Sequence, residues 1–230
     1  MRFFITFMLL ALPLLSRAQE KKVRAIIQSD AQWYLRDEIL DPSGEFYPDE
    51  KLLGQGFALF TYTDGDFEAG MRYENYQNVM LGFPNGFRGE GITYRYARVK
   101  RDNWDITVGN FYEQFGSGLI FRSYEERGLG LDNAMDGVRI LTKINGGIKI
   151  KGVLGRQRKY FTKSDGIVRG VDIEWSANEL IPILNKKGII TSFGASFVSK
   201  FQRGFDPILN LPENVGSYSL RSNLNFKGYS

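Results

Sequence analysis

The stretch Phe67-Glu68-Ala69-Gly70-Met71-Arg72-Tyr73-Glu74-Asn75-Tyr76 decides the fold. Phe67, Ala69, Met71 and Tyr73 fall on one side, and Glu68, Arg72 and Glu74 on the other. A period of two puts the two sets on opposite faces of a β-strand. Just before it, Asp64-Gly65 supplies the residue types of a two-residue hairpin turn. Residues 54–63 form the matching strand on the far side of that turn.

Working outward from this hairpin, the same alternation recurs along the chain. It predicts strands at 23–36, 54–63, 67–76, 90–100, 104–112, 137–144, 148–157, 167–177, 188–201 and 216–226. The connections alternate too. Asp64-Gly65, Arg101-Asp102-Asn103 and Asn145-Gly146-Gly147 read as tight turns. Between them fall longer polar connections: 37–53, 77–89, 113–136 and a loop containing Ser164-Asp165-Gly166. Segment 178–187 breaks the rhythm, and Pro182 within it argues against a ladder position. Strands of roughly eight to fourteen residues exceed the usual soluble length of about five or six and suit a tilted membrane span of about nine to eleven. The expected fold is all-β: an antiparallel transmembrane β-barrel, with short turns at one end and long loops at the other.

Composition agrees with this reading. The 18 Phe, 12 Tyr and 3 Trp suit strands and interfacial belts. No stretch after Ala18 is apolar for long enough to cross a bilayer as a helix. Arg2, the apolar run 3–15 and Ser16-Arg17-Ala18 read as a secretory signal peptide. The expected organisation is therefore a signal peptide at 1–18 and an outer-membrane β-barrel domain at 19–230, with location in the outer membrane. The absence of a terminal aromatic after Lys227-Gly228-Tyr229 suggests a barrel that is incomplete at the C-terminus. With no Cys and no His, thiol chemistry, disulfides and Ser-His-Asp catalysis are excluded. The formal net charge of +4 is dispersed, so no nucleic-acid partner is expected.

The densest unusual segment is 110–136, with Gly116-Ser117-Gly118 followed by clustered charges. A connection this long in a compact protein is usually functional or disordered, and its aromatic and aliphatic content argues against disorder. Glu113, Arg122, Glu125, Glu126, Arg127 and Asp132 are the candidate residues of a loop constriction. They would pair with strand charges such as Arg72, Glu74, Arg95 and Arg98. The alternative is an ordered external loop with surface ion pairs. No Gly-Lys-Ser/Thr follows Gly118, so this is not a phosphate loop. Glu125-Glu126 are adjacent and would point to opposite faces of a strand, a poor arrangement for paired carboxylates in glycoside chemistry. Asp64-Gly65-Asp66 lacks the later ligands of a calcium loop. No catalytic, metal or cofactor site is expected.

The run Asn110-Phe111-Tyr112-Glu113-Gln114-Phe115-Gly116-Ser117-Gly118-Leu119, then Arg122-Ser123-Tyr124-Glu125-Glu126-Arg127 and Leu131-Asp132-Asn133, resembles a block in an uncharacterised family of Bacteroidetes outer-membrane proteins. The resemblance covers about a tenth of the chain. It implies membrane location and β architecture, and supplies no activity or assigned residue. The functional expectation is a non-enzymatic channel or uptake pore for small solutes, in contact with outer-membrane lipid and other outer-membrane proteins. The alternatives are a scaffold of an outer-membrane secretion or surface-anchoring assembly, and a secreted β-sandwich that binds glycans.

Overall fold

The computed structural model describes residues 21–35, 37–43, 50–204 and 212–226. The expected signal peptide and the residues after Phe226 lie outside the described residues. Ten long strands form one antiparallel sheet: β1 (Lys21–Trp33), β2 (Leu52–Asp64), β3 (Phe67–Asn78), β4 (Gly89–Lys100), β5 (Trp104–Phe111), β8 (Met135–Ile144), β9 (Ile148–Lys159), β10 (Thr162–Ser176), β11 (Ile189–Phe201) and β12 (Asn214–Phe226). They pair in sequence order, β1 beside β2 through to β11 beside β12. Two-residue strands β6 (Glu125–Glu126) and β7 (Leu131–Asp132) make a small ribbon within the β5–β8 connection. All ten expected strands form. They lie in one sheet rather than two stacked ones, which is not the arrangement of a sandwich. Among the described residues, β1 and β12 have no pairing with each other, so the sheet is open.

Along much of the sheet, charged side chains are buried and apolar ones exposed. On β3, Arg72 and Glu74 are buried, whereas Met71 and Tyr73 are exposed. The outward row continues across the ladder through Ala25, Phe60 and Met71, which face one another in register. Further along the sheet, Ile106 opposes Ile140 and Val138 opposes Leu154. Ile27 is 77% exposed and Leu220 81%, while Glu74 is only 2% exposed. At the short-turn end this outward face carries a row of aromatics: Tyr62, Phe67, Trp104, Trp175 and Phe193. The rings of Trp175 and Phe193 stack at 5.9 Å, and the Trp175 indole N–H donates to the Gly146 carbonyl at 3.1 Å.

The polar face is concave. Arg158 on β9 reaches Glu74 on β3 at 2.6 Å, although β4, β5 and β8 lie between those strands. A glycine row helps the sheet roll: Gly109, Gly137 and Gly155 face one another across β5, β8 and β9. A Cβ on Gly137 would sit 2.0 Å from the Leu154 carbonyl oxygen, so the backbones approach too closely for any side chain.

One connection differs from expectation. A long loop around 160–166 is predicted, but β9 and β10 continue into a hairpin that turns at Tyr160 and Phe161. Ser164-Asp165-Gly166 instead forms a bulge inside β10, between Lys163 and Ile167. Turn-forming residues serve a bulge as well as a loop, because both need a chain that leaves the ladder. The irregular 178–187 segment contains a 3-10 turn at Ala177–Glu179 and a short helix α1 at Pro182–Lys186, with Pro182 at its start.

Candidate functional site

The residues of the β5–β8 connection, 112–134, lie on the concave polar face and are anchored in two ways. The first anchor is apolar. Phe115 and Phe121 join Phe111, Met135, Val153, Val168 and Val198 in a buried cluster against the inner sides of β5, β8, β9, β10 and β11. The Phe115 and Phe121 ring centres are 4.9 Å apart. Gly170 on β10 makes room, since a Cβ there would lie 2.8 Å from the Phe115 ring. The end of this hairpin-like bend is tied by Phe115 N–H to the Phe121 carbonyl at 3.1 Å and by a bridge between Gln114 and Arg122.

The second anchor is ionic. Arg72 contacts Glu74 at 2.5 Å, Glu125 at 2.9 Å and Asp132 at 2.8 Å. Arg158 donates to Glu74 at 2.6 Å and, through its other terminal nitrogen, to Asp132. Arg127 pairs with Glu125 at 2.9 Å and lies 3.6 Å above the Phe57 ring. Asp132 also accepts from the Tyr112 hydroxyl at 3.0 Å and from the Ala134 N–H at 3.0 Å. Three guanidinium groups thus meet three carboxylates, so the cluster is neutral as a whole. Charges taken out of water need such matching, because each would otherwise cost several kcal/mol. Glu74, Glu125 and Asp132 bring oxygens within 4.8 Å of one another. Arg72, Arg127 and Arg158 already supply positive charge to these carboxylates.

Glu113 belongs to a separate group. It accepts from Arg139 at 2.6 Å and Lys151 at 2.7 Å, and Arg139 also reaches Asp105 at 3.2 Å. Burial by itself would raise the Glu113 carboxyl. The hydrogen bonds from Lys151, Arg139 and the Gln114 N–H outweigh burial and hold it below the usual carboxylate range. Burial, and then the Asp132 carboxylate, push the Tyr112 phenol far up, so it stays protonated and donates to Asp132.

The structure brings together three of the six predicted residues, Glu125, Arg127 and Asp132, with Arg72 and Glu74 from β3. Glu113 sits apart, as described. Arg122 is exposed and covers the Tyr124 ring at 4.1 Å, and Glu126 is exposed. Of the anticipated strand partners, Arg98 pairs with its neighbour Asp105 instead of the loop. Arg95 lies on the outward face opposite Met71 and contacts Asp136 at 3.8 Å. Arg95 and Arg98 stand three residues apart in an unbroken register, so alternation itself puts them on opposite faces, and the shift between Arg72 and Tyr73 falls before Tyr94. Sequence reasoning missed Arg158 altogether. Alternation assigns it to the same face as the exposed Arg156. The hairpin at Tyr160 and Phe161 leans across toward β3 and the connection after it, where Tyr160 meets Phe87 and Phe161 meets Tyr76, and Arg158 beside it is buried.

Beside the connection a cleft of about 410 Å³ stays open on the concave side, with Glu68, Tyr94, Tyr96, Arg98, Tyr112 and Arg139 in its wall. The fold and this interior define a class: an all-β chain whose rolled antiparallel sheet has a charged, loop-filled concave face and an apolar convex one. By sequence, residues 1–230 match the model of a family of unknown function (DUF6029), and the chain belongs to that family. No curated protein matches the chain.

Proposed function

We propose that this chain forms the wall of a β-barrel in the outer membrane and serves as a non-enzymatic channel or uptake pore for small solutes. The observation that carries the reading is the reversal of polarity: apolar side chains cover the convex face, and charged ones are buried on the concave face. In water the exposed apolar rows would be a liability; in lipid they are the required surface. The aromatic row at the short-turn end matches the girdle expected where strands meet the headgroups. Barrel closure would also remove the backbone edges that β1 and β12 present. In this reading residues 112–134 are the constriction, and the cleft beside them is the path left to a solute. The family's Bacteroidetes affiliation belongs to the same proposal.

Two measurements test it. A membrane barrel needs detergent for solubility and migrates differently on gels when unheated; a protein soluble without detergent refutes the membrane reading. In planar bilayers, deletion of residues 116–132 is expected to raise single-channel conductance. Unchanged conductance and selectivity would refute the constriction. The firm anchoring of the connection favours one further reading, a scaffold in an outer-membrane assembly. Co-purification of a stoichiometric partner without conductance would establish that instead.

A further inference from the structure

The convex face carries one group of charges that the solute path does not use. From the short-turn end, its outward positions run Ile148, Ile150, Gly152 and Leu154 on β9, and Trp175, Ile173 and Val171 on β10. The next outward positions are Arg156 and Arg169. Arg156 stands directly opposite Ile167, two residues before Arg169, so the two arginines are diagonal neighbours across one strand pair. Both are exposed, and neither has a hydrogen bond or ion pair with any described residue. Asp136 on β8 faces Arg156 in register, and it already pairs with Lys163 at 2.6 Å and Arg95 at 3.8 Å. Asp165 in the adjoining bulge is the other nearby carboxylate. The level thus gathers four cations and two carboxylates, with the two arginines unmatched.

We infer that Arg156 and Arg169 bind the phosphate of an outer-leaflet glycolipid whose acyl chains lie along the apolar rows beneath them. This rests on the membrane reading above. Eight residues separate Ile148 from Arg156, which is about 26 Å along a strand and about 20 Å along the membrane normal at a tilt near 40°. By the same arithmetic Arg169, opposite Leu154 and six residues from Ile148, stands about 15 Å up. In an apolar band about 25 Å tall Arg156 lies nearer the upper border and Arg169 below it, and their long stems reach toward that border by snorkelling. The row sits at the long-loop end, which is the external one in a barrel with short inner turns. A free guanidinium at the mid-membrane would be costly. At the headgroup level it has a phosphate to pair with, and the planar fork suits that anion.

The test uses the full chain in detergent, with diphosphoryl lipid A and its dephosphorylated form as probes. The double variant R156Q/R169Q is expected to bind diphosphoryl lipid A about thirtyfold more weakly, the effect of two cations at an anionic lipid surface. R156K/R169K should retain most of the binding, which separates loss of charge from loss of fold. Dephosphorylated lipid A should bind weakly to the wild type. Competition by millimolar inorganic phosphate would show that the free ion suffices and would overturn the assignment to lipid, as would equal binding of both lipids or no loss in R156Q/R169Q. A wild-type chain that is soluble without detergent fails the membrane reading itself. A detergent-dependent, heat-modifiable barrel with unchanged lipid binding in the variant fails only this inference.

Discussion

Replacing Arg158 with methionine removes one of the two guanidinium groups that hold the β5–β8 connection against β3. Arg158 is 5% exposed, and its partners Glu74 and Asp132 are 2% exposed and well buried, respectively. Methionine keeps much of the apolar stem, so the loss is mainly electrostatic. Removing one member of a buried, hydrogen-bonded ion pair costs about 3–5 kcal/mol, because the other member is left uncompensated in a poorly hydrated site. Arg72 still contacts Glu74 at 2.5 Å and Asp132 at 2.8 Å, which relieves part of that cost. The expected loss is therefore at the lower end, about 3 kcal/mol, or roughly two powers of ten in the unfolding equilibrium. Denaturant unfolding in detergent or liposomes, followed by tryptophan fluorescence, measures it directly. Asp132→Asn in the R158M background should cost less than in the wild type, because the pair is coupled by about 0.5–3 kcal/mol. A loss below about 1 kcal/mol in R158M, the range of exposed pairs, or strict additivity in the double variant, would refute the view that this cluster is the ionic anchor.

Gly170→Val should disturb the apolar anchor, since its Cβ would meet the Phe115 ring at 2.8 Å, at a cost of about 1–3 kcal/mol in the same unfolding assay. Wild-type stability means that this clearance is not needed. Glu113 titrates below its ordinary range, so the stability it contributes is present above the unfolded value of about 4.3 and is lost as pH falls through the lower folded value. Glu113→Gln should therefore flatten the acid side of the stability profile below about pH 4, and an unchanged slope would contradict this. Ile140→Arg on the convex face should lower stability by about 2–4 kcal/mol in a bilayer, and comparison with the same variant at the rim tests whether that face meets lipid.

Much of the strand architecture was legible in the sequence because it depends on local chemistry. The alternation at 67–76 is visible without a partner strand, since successive side chains must point to opposite faces. Likewise Asp64-Gly65 and Asn145-Gly146-Gly147 mark turns through their own backbone freedom, and Pro182 announced a break in the ladder. The ion-pair partners of the 110–136 segment were legible only in part. Glu125, Arg127 and Asp132 stood out as clustered charges, and Arg72 and Glu74 as members of the polar face of an alternating strand. Arg95 did not follow although its three-residue spacing from Arg98 already puts the two on opposite faces, and Arg158 did not because the bulge opposite Gln157 and the hairpin beyond it interrupt the alternation.

The sequence by itself determined the ten strands, their order along the chain and the two faces each would have, because these follow from a period of two and from turn chemistry. Only the tertiary structure decided that the polar face is concave and that residues 112–134 fold onto it. It also decided that Arg158 closes the cluster from β9, four strands along the sheet from β3 and at the far side of β8. Those outcomes depend on the roll of the sheet, on close backbone approach at Gly109, Gly137 and Gly155, and on charges that find their partners more than fifty residues away.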